Sequence, residues 1–241
     1  MKNVTDRVSN PFGMRPDCDR FVPGYGDANA DFHVIGDHPG VHGGVEAGVP
    51  FTGHEAGERL LDALVDAGLL ASAGPRPEVA STYLSYLHMC VPEGHRLDGD
   101  GSPTGASYDD MERFFDAELR AIAAHVLLPV GERATRHVLE TYTAQAHKTT
   151  VDMDDLHGTE IRGSGWLVVP IKDPAEWVDG GERRGDGDDG DDDDGDGDAD
   201  GDSPGDAERL VDGIRTLRAT DYRRESDLGR FVAGSEPYMV R

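Results

Sequence analysis

Three short segments carry the residues with chemistry to offer. Asp37-His38-Pro39-Gly40 follows an apolar run, continues as Val41-His42-Gly43-Gly44 and closes in Val49-Pro50-Phe51-Thr52-Gly53. Glycines let the backbone approach a ligand, Phe51 offers a flat stacking face, and the Asp37 carboxylate can orient or deprotonate a water. A second apolar run ends at Tyr86 and His88, and a third is followed by Lys172-Asp173-Pro174. Each has a plainer alternative: Asp37 as a turn cap, Phe51 as a core residue, Asp173 before Pro174 as a turn pair. His38 and His42 lack a third ligand at suitable spacing and a glycine loop favours exposed imidazoles, so no metal is expected.

The elements that must position these residues alternate along the chain. Asp31 to Gly36 reads as a strand, apolar except for His33, and the Gly-rich loop Gly40 to Gly53 leads into an amphipathic helix. Leu60, Leu61, Leu64, Val65 and Leu69 form its apolar face. A strand from Ser81 to Met89 precedes a helix from Tyr108 to Ala124, with Met111, Phe114, Phe115, Leu119 and Ile122 on one side. A third strand, His125 to Val130, precedes a helix from Glu132 to Ala146, and a fourth strand spans Trp166 to Ile171. Strands separated by helices favour parallel pairing with right-handed crossovers. The expected fold is α/β, a three-layer α/β/α sandwich with a central, mainly parallel sheet of about four strands. Ligands bind such sheets at the carboxyl ends of the strands, where all three segments fall.

At those residues the chain resembles the uracil-DNA glycosylase superfamily, as a divergent, haloarchaeal-type relative of its family 4 and family 5 branches. Family 4 reads GEAPG after its first strand and closes the loop with G-[RK]-P-F-x-G; here stand Gly36-Asp37-His38-Pro39-Gly40 and Val49-Pro50-Phe51-Thr52-Gly53. Val41-His42-Gly43-Gly44 and Phe51-Thr52-Gly53 are similar to the AHGG and F-T-G of family 5. Leu127-Leu128-Pro129-Val130-Gly131-Glu132-Arg133-Ala134 is similar to the family's V-x-x-x-G-x-x-A segment.

The resemblance implies a DNA glycosylase that flips a nucleotide, stacks its base and hydrolyses the N-glycosidic bond in base-excision repair. It places Asp37 where family 4 has its water-activating Glu, and Phe51 at the stacking position. Pro39 and Gly40 would shape the pocket wall, the backbone near His38 would contact the base, and Gly36 and His42 would flank it. Two positions depart from the pattern. Tyr86 stands where an Asn reads the base edge, and Asp173 stands where a His donates to the base as negative charge develops. A protonated Asp173 or the neighbouring Lys172 would be the substitute. The departures leave altered base specificity, weak activity, or a non-catalytic glycosylase-fold protein that binds nucleic acid or a nucleotide. The four-cysteine cluster of family 4 cannot form from two cysteines, and no cofactor is expected.

Composition bounds the rest. The chain has 241 residues, 48 acidic and 23 basic, for a net charge of −25. Residues 179–206 hold 13 Asp and one Glu against two Arg, close to half of that charge. Only Lys2, Lys148 and Lys172 are lysines, a pattern that suits multimolar salt. At 1 M salt the Debye length is about 3 Å, so the charge neither excludes DNA nor favours it. Cys18 and Cys90 are expected to be reduced thiols in a cytoplasmic, halophilic protein. The longest nearly apolar run, Ala121 to Val130, is too short to span a bilayer, and no hydrophobic leader is visible, so no membrane association is expected.

We expect a glycosylase-like domain over 1–178, a disordered Asp/Gly insert over 179–206, and a C-terminal helical segment over 207–241 on the same domain, in a monomer. Asp196 to Gly201 matches half of an EF-hand loop, but its twelfth position falls on Ala207, so no calcium site is expected. Arg215, Arg218, Arg223, Arg224 and Arg230 either bind phosphate or pair with Asp212, Asp221, Glu225 and Asp227. The insert could instead make the chain an acidic interaction protein.

Overall fold

A computed structural model describes residues 3–94, 97–98, 103–143, 150–180 and 204–231. Most of the expected insert, including the partial EF-hand match, therefore lies outside the described residues, as do Lys2 and Lys148. The elements in chain order are β1 (Tyr25–Gly26), β2 (Phe32–Gly36), α1 (Pro39–His42), α2 (Glu55–Asp66), β3 (Leu70–Ser72), β4 (Glu78–Val79), β5 (Thr82–Tyr86) and α3 (Gly105–Ile122). They continue as β6 (Val126–Pro129), α4 (Gly131–Tyr142), α5 (Met153–Leu156), β7 (Ile161–Arg162), β8 (Leu167–Val168), α6 (Asp206–Arg218) and α7 (Tyr222–Phe231).

The central sheet has six strands among the described residues, in the order β1-β5-β2-β6-β8-β7. Its inner four, β5, β2, β6 and β8, are parallel and correspond to the strands expected from the sequence. The count of about four is corrected by β1 and β7, which pair antiparallel at the two edges. Each is only two residues long, too short to carry an alternation signal. β2 and β5 are buried along their whole length, as strands covered on both faces must be.

One face is covered by α2 and α6, whose Leu60, Leu61, Leu64, Leu210 and Ile214 join Val34, Leu84 and Leu128 of the sheet. On the other, Phe115, Leu119 and Ile122 of α3 and Val138 and Leu139 of α4 pack on Ile35, Tyr83 and Leu127. This is the expected α/β/α layering. The two families of residues alternate along β2: Val34 faces one core and Ile35 the other. Buried on the same strand, His33 makes a 2.7 Å hydrogen bond between its Nε2 and Ser85 Oγ, and burial pushes its pKa down to about 3.

The cysteines are not free thiols: Cys18 and Cys90 form a disulfide. The irregular lead-in runs beside the end of β5, where Val22 N–H donates to the Met89 carbonyl at 2.8 Å and Val91 N–H to the Arg20 carbonyl at 2.9 Å. That alignment brings together two residues 72 positions apart, which no local pattern reports. Arg215, Arg218 and Arg223 of the C-terminal segment have partners other than the expected phosphate or the acids of that segment. Arg215 and Arg218 donate to the Asp66 and Ala67 carbonyls at 2.8 and 2.7 Å, placing cations at the C-terminus of α2. Arg223 pairs with Asp31.

Candidate active site

β2 is the point where the chain order reverses: β5 lies on one side of it and β6 on the other. Crevices in open parallel sheets form at such switch points, outside the carboxyl ends of the strands. Gly36 and Asp37 leave the end of β2, Tyr86 ends β5, Gly131 and Arg133 follow β6, and Asp173 follows β8.

Asp37 sits at the centre of this group with 17% of its side chain exposed. Its Oδ1 accepts a short hydrogen bond from the Tyr108 hydroxyl, and its Oδ2 lies 3.5 Å from Arg133 Nε. The Arg133 guanidinium is 4.9 Å from the Tyr108 ring centroid, so the cation covers the ring that holds the carboxylate. Burial raises the Asp37 pKa, while Tyr108, Arg133, His42 and His88 act in the opposite sense. The result is a largely buried carboxylate, held at both oxygens, whose pKa lies above the ordinary value.

Behind it, His88 makes contacts of 2.7 Å from Nδ1 to the Cys90 carbonyl and 2.8 Å from Nε2 to Ser107 Oγ, and its ring meets Tyr108 edge-on. Tyr108 and Arg133 were not singled out from the sequence as site residues. Both stand in the first turns of helices that follow parallel strands, which is the signal that could have found them.

The glycine loop is folded inward. His38 caps the four-residue α1, accepting from Gly40 N–H at Nδ1 (3.0 Å), and burial with nearby His88, His42 and Arg133 lowers its pKa to about 4. His38 and His42 are both buried, which corrects the expectation of exposed imidazoles. Phe51 adopts φ +65°, rare for a bulky residue, and is wholly buried against Tyr86 with ring centroids 5.1 Å apart.

Tyr86 fixes that conformation. Its hydroxyl accepts the Phe51 N–H at 2.8 Å and donates to the Gly43 carbonyl at 3.0 Å. A Cβ at Gly36 would sit 2.7 Å from the Tyr86 ring and 2.8 Å from Phe51, so only glycine lets both rings close over the end of β2. In this arrangement neither Phe51 nor Tyr86 offers a ring face to solvent, and the space between them is filled.

Asp173 reaches the site from β8. Its Oδ1 accepts the Ala175 N–H at 3.0 Å, capping a short 3₁₀ turn, Pro174–Glu176. Arg59 of α2 ties that turn down by donating to the Pro174 carbonyl at 2.9 Å. Lys172 is not brought in. Its ammonium pairs with Asp154 and lies 3.8 Å from Asp206. The structure thus gathers Gly36, Asp37, His38, Pro39, His42, Phe51, Tyr86 and Asp173 and leaves Lys172 apart, with Gly40 exposed at the rim.

A cleft of about 360 Å³ lies on the outer side of the glycine loop, lined by residues including Gly43, Gly44, Thr52, Gly53 and Glu58, and does not reach Asp37. Among the described residues no group of three or more His, Cys, Asp or Glu is placed to hold a metal ion, and no helix is long and apolar enough to cross a membrane.

A mainly parallel α/β/α sandwich with a partly buried carboxylate at its switch point has the crevice position at which open α/β sheets bind ligands. The model of the uracil DNA glycosylase superfamily matches residues 23–181, the whole sheet included, and the chain belongs to that superfamily. It is 32% identical over 161 residues to the type-5 uracil-DNA glycosylase of Pyrobaculum aerophilum, covering 65% of this chain and 66% of that one. It is 30% identical over 118 residues to the type-5 uracil-DNA glycosylase of Thermus thermophilus, covering 47% and 52%, and 28% identical over 120 residues to that of Mycobacterium leprae, covering 48% and 50%. The matches thus span from about half to just under two thirds of these relatives' length.

Proposed function

We propose that the chain hydrolyses the N-glycosidic bond of a base flipped out of DNA, with uracil the first base to test. The observation that carries this reading is Asp37, a desolvated carboxylate at the end of the central strand, held by Tyr108 and Arg133. In the proposed step Asp37 orients a water whose oxygen attacks the anomeric carbon. The glycosidic electron pair leaves with the base, and the water proton passes to Asp37. Gly36, Pro39 and the backbone at His38 and Gly40 would wall the base, with Phe51 beneath it. Because Tyr86 fills the space over Phe51, base entry requires its ring to move, and Tyr86 becomes the residue that limits which bases are accepted. Lys172 has no part in this step. DNA is the proposed partner, and the working unit a monomer.

The closure of Tyr86 over Phe51 also favours a second reading, a glycosylase-fold protein that binds nucleic acid without cleaving it. Release of free base from deoxyuridine-containing oligonucleotides in concentrated KCl separates the two. Turnover supports hydrolysis, and saturable binding without turnover on a broad panel of modified bases supports the second reading.

A further inference from the structure

His42 is a buried imidazole, 1% exposed, with no hydrogen-bond partner at either ring nitrogen. Groups of this kind are costly to bury unless something charged compensates them. The compensating group is present. His42 Nε2 lies 3.6 Å from Asp173 Oδ2, the carboxylate oxygen not used in capping the turn at Pro174. Burial works against the Asp173 charge, but His42, the Ala175 N–H and His54 outweigh it and hold its pKa below the ordinary value, so an anion faces this imidazole. The ring lies nearly parallel to Tyr86 (16°, centroids 6.3 Å apart) and 5.6 Å from Phe51. His42 is also close enough to Asp37 to act on it, in the sense that lowers the Asp37 pKa.

An ionised Asp173 alone would oppose the negative charge that accumulates on a departing base. An imidazole between the two reverses that effect, because the ring can present a donor to the base while its other nitrogen faces the carboxylate. Resting on the hydrolytic reading above, we propose that His42, held by Asp173, neutralises the leaving base. In the proposed step His42 carries a hydrogen on each nitrogen, Nε2–H toward Asp173 at 3.6 Å and Nδ1–H toward the base. The base takes the glycosidic electron pair and the His42 proton and leaves neutral. Water supplies the hydroxyl to the sugar and its proton to Asp37, and solvent then returns a proton to His42 and removes one from Asp37. Asp173 is a positioning residue in this scheme.

The test combines two readouts on the full-length chain. The imidazole ¹⁵N resonances of His42 are recorded in wild type and Asp173→Asn; they shift if the pair exists and stay unchanged if it does not. Single-turnover release at saturating DNA is then measured for uracil and for 5-fluorouracil, whose leaving anion is more stable. His42→Asn and Asp173→Asn should each slow uracil release by about 10²- to 10³-fold with DNA affinity kept. 5-Fluorouracil should be slowed less, and the double variant should be no slower than His42→Asn. Equal losses for the two bases, or losses that multiply in the double variant, overturn the donor role. Release by wild type with unresponsive resonances overturns the pairing alone, whereas no release of either base overturns the hydrolytic reading and the donor role with it.

Discussion

The Tyr86 hydroxyl accepts the amide hydrogen of Phe51 at 2.8 Å, and this one bond joins the end of β5 to the strained tip of the glycine loop. The phenol satisfies two buried backbone groups of the loop at once. It takes a buried N–H, supplies a hydrogen to the Gly43 carbonyl, and stacks in a space bounded by Phe51 and His42.

Tyr86→Phe should therefore cost about 1–3 kcal/mol, since the Phe51 N–H and Gly43 carbonyl are left buried without partners. Chemical denaturation checks this. Tyr86→Asn should lose more stability but open the slot and restore a side chain with both a donor and an acceptor, so uracil release should rise over wild type by about tenfold or more. A folded Asn variant slower than wild type would place Tyr86 in the machinery rather than in its way.

Glu118, fully buried on α3, sets the alkaline side of the stability profile. Burial raises its pKa from 4.5 to about 7 against the pull of hydrogen bonds from Tyr83 and the Gly24 amide. The folded state thus prefers the neutral acid. This contribution is fully present below pH 4.5 and is lost as pH rises through 7, falling by about 1.4 kcal/mol for each pH step between the two values. Glu118→Gln should match wild type near pH 5 and exceed it near pH 8 by on the order of 3 kcal/mol. Denaturation midpoints at the two pH values decide it, and a constant difference between the proteins would contradict the assignment.

The acidic tract should be dispensable. Val178 N–H donates to Asp206 Oδ2 and Asp206 N–H to the Val178 carbonyl, both at 3.0 Å, so the chain leaves and returns at one place. Replacing residues 181–203 with a short Gly-Ser bridge should change stability in concentrated KCl by no more than about 0.5 kcal/mol. Base release should be unaffected. Loss of release with an intact melting transition would instead give the tract a functional role.

What the sequence disclosed depended on the range of the interaction. The four parallel strands and the faces of α2 and α3 were legible because burial on both faces of a strand, or on one face of a helix, leaves a local pattern. Placement of Asp37, Tyr86 and Asp173 near one another followed from their positions at the carboxyl ends of those strands. Contacts between distant segments left no such trace. The Cys18–Cys90 bond, the turning of Lys172 toward Asp154, the use of Arg215 and Arg218 on the end of α2, and the approach of Tyr108 to Asp37 are products of packing. Phe51 shows the limit well. Its alternatives were core residue or stacking platform, and its burial is decided by Tyr86, thirty-five positions away.

Activation of water by Asp37 is tested most directly by release of uracil from duplex and single-stranded oligonucleotides in concentrated KCl, compared between wild type and Asp37→Asn. Wild type should release the base, and Asp37→Asn should bind the same DNA but release it about 10²-fold or more slowly. Equal rates for the two proteins, with both folded, would contradict that role.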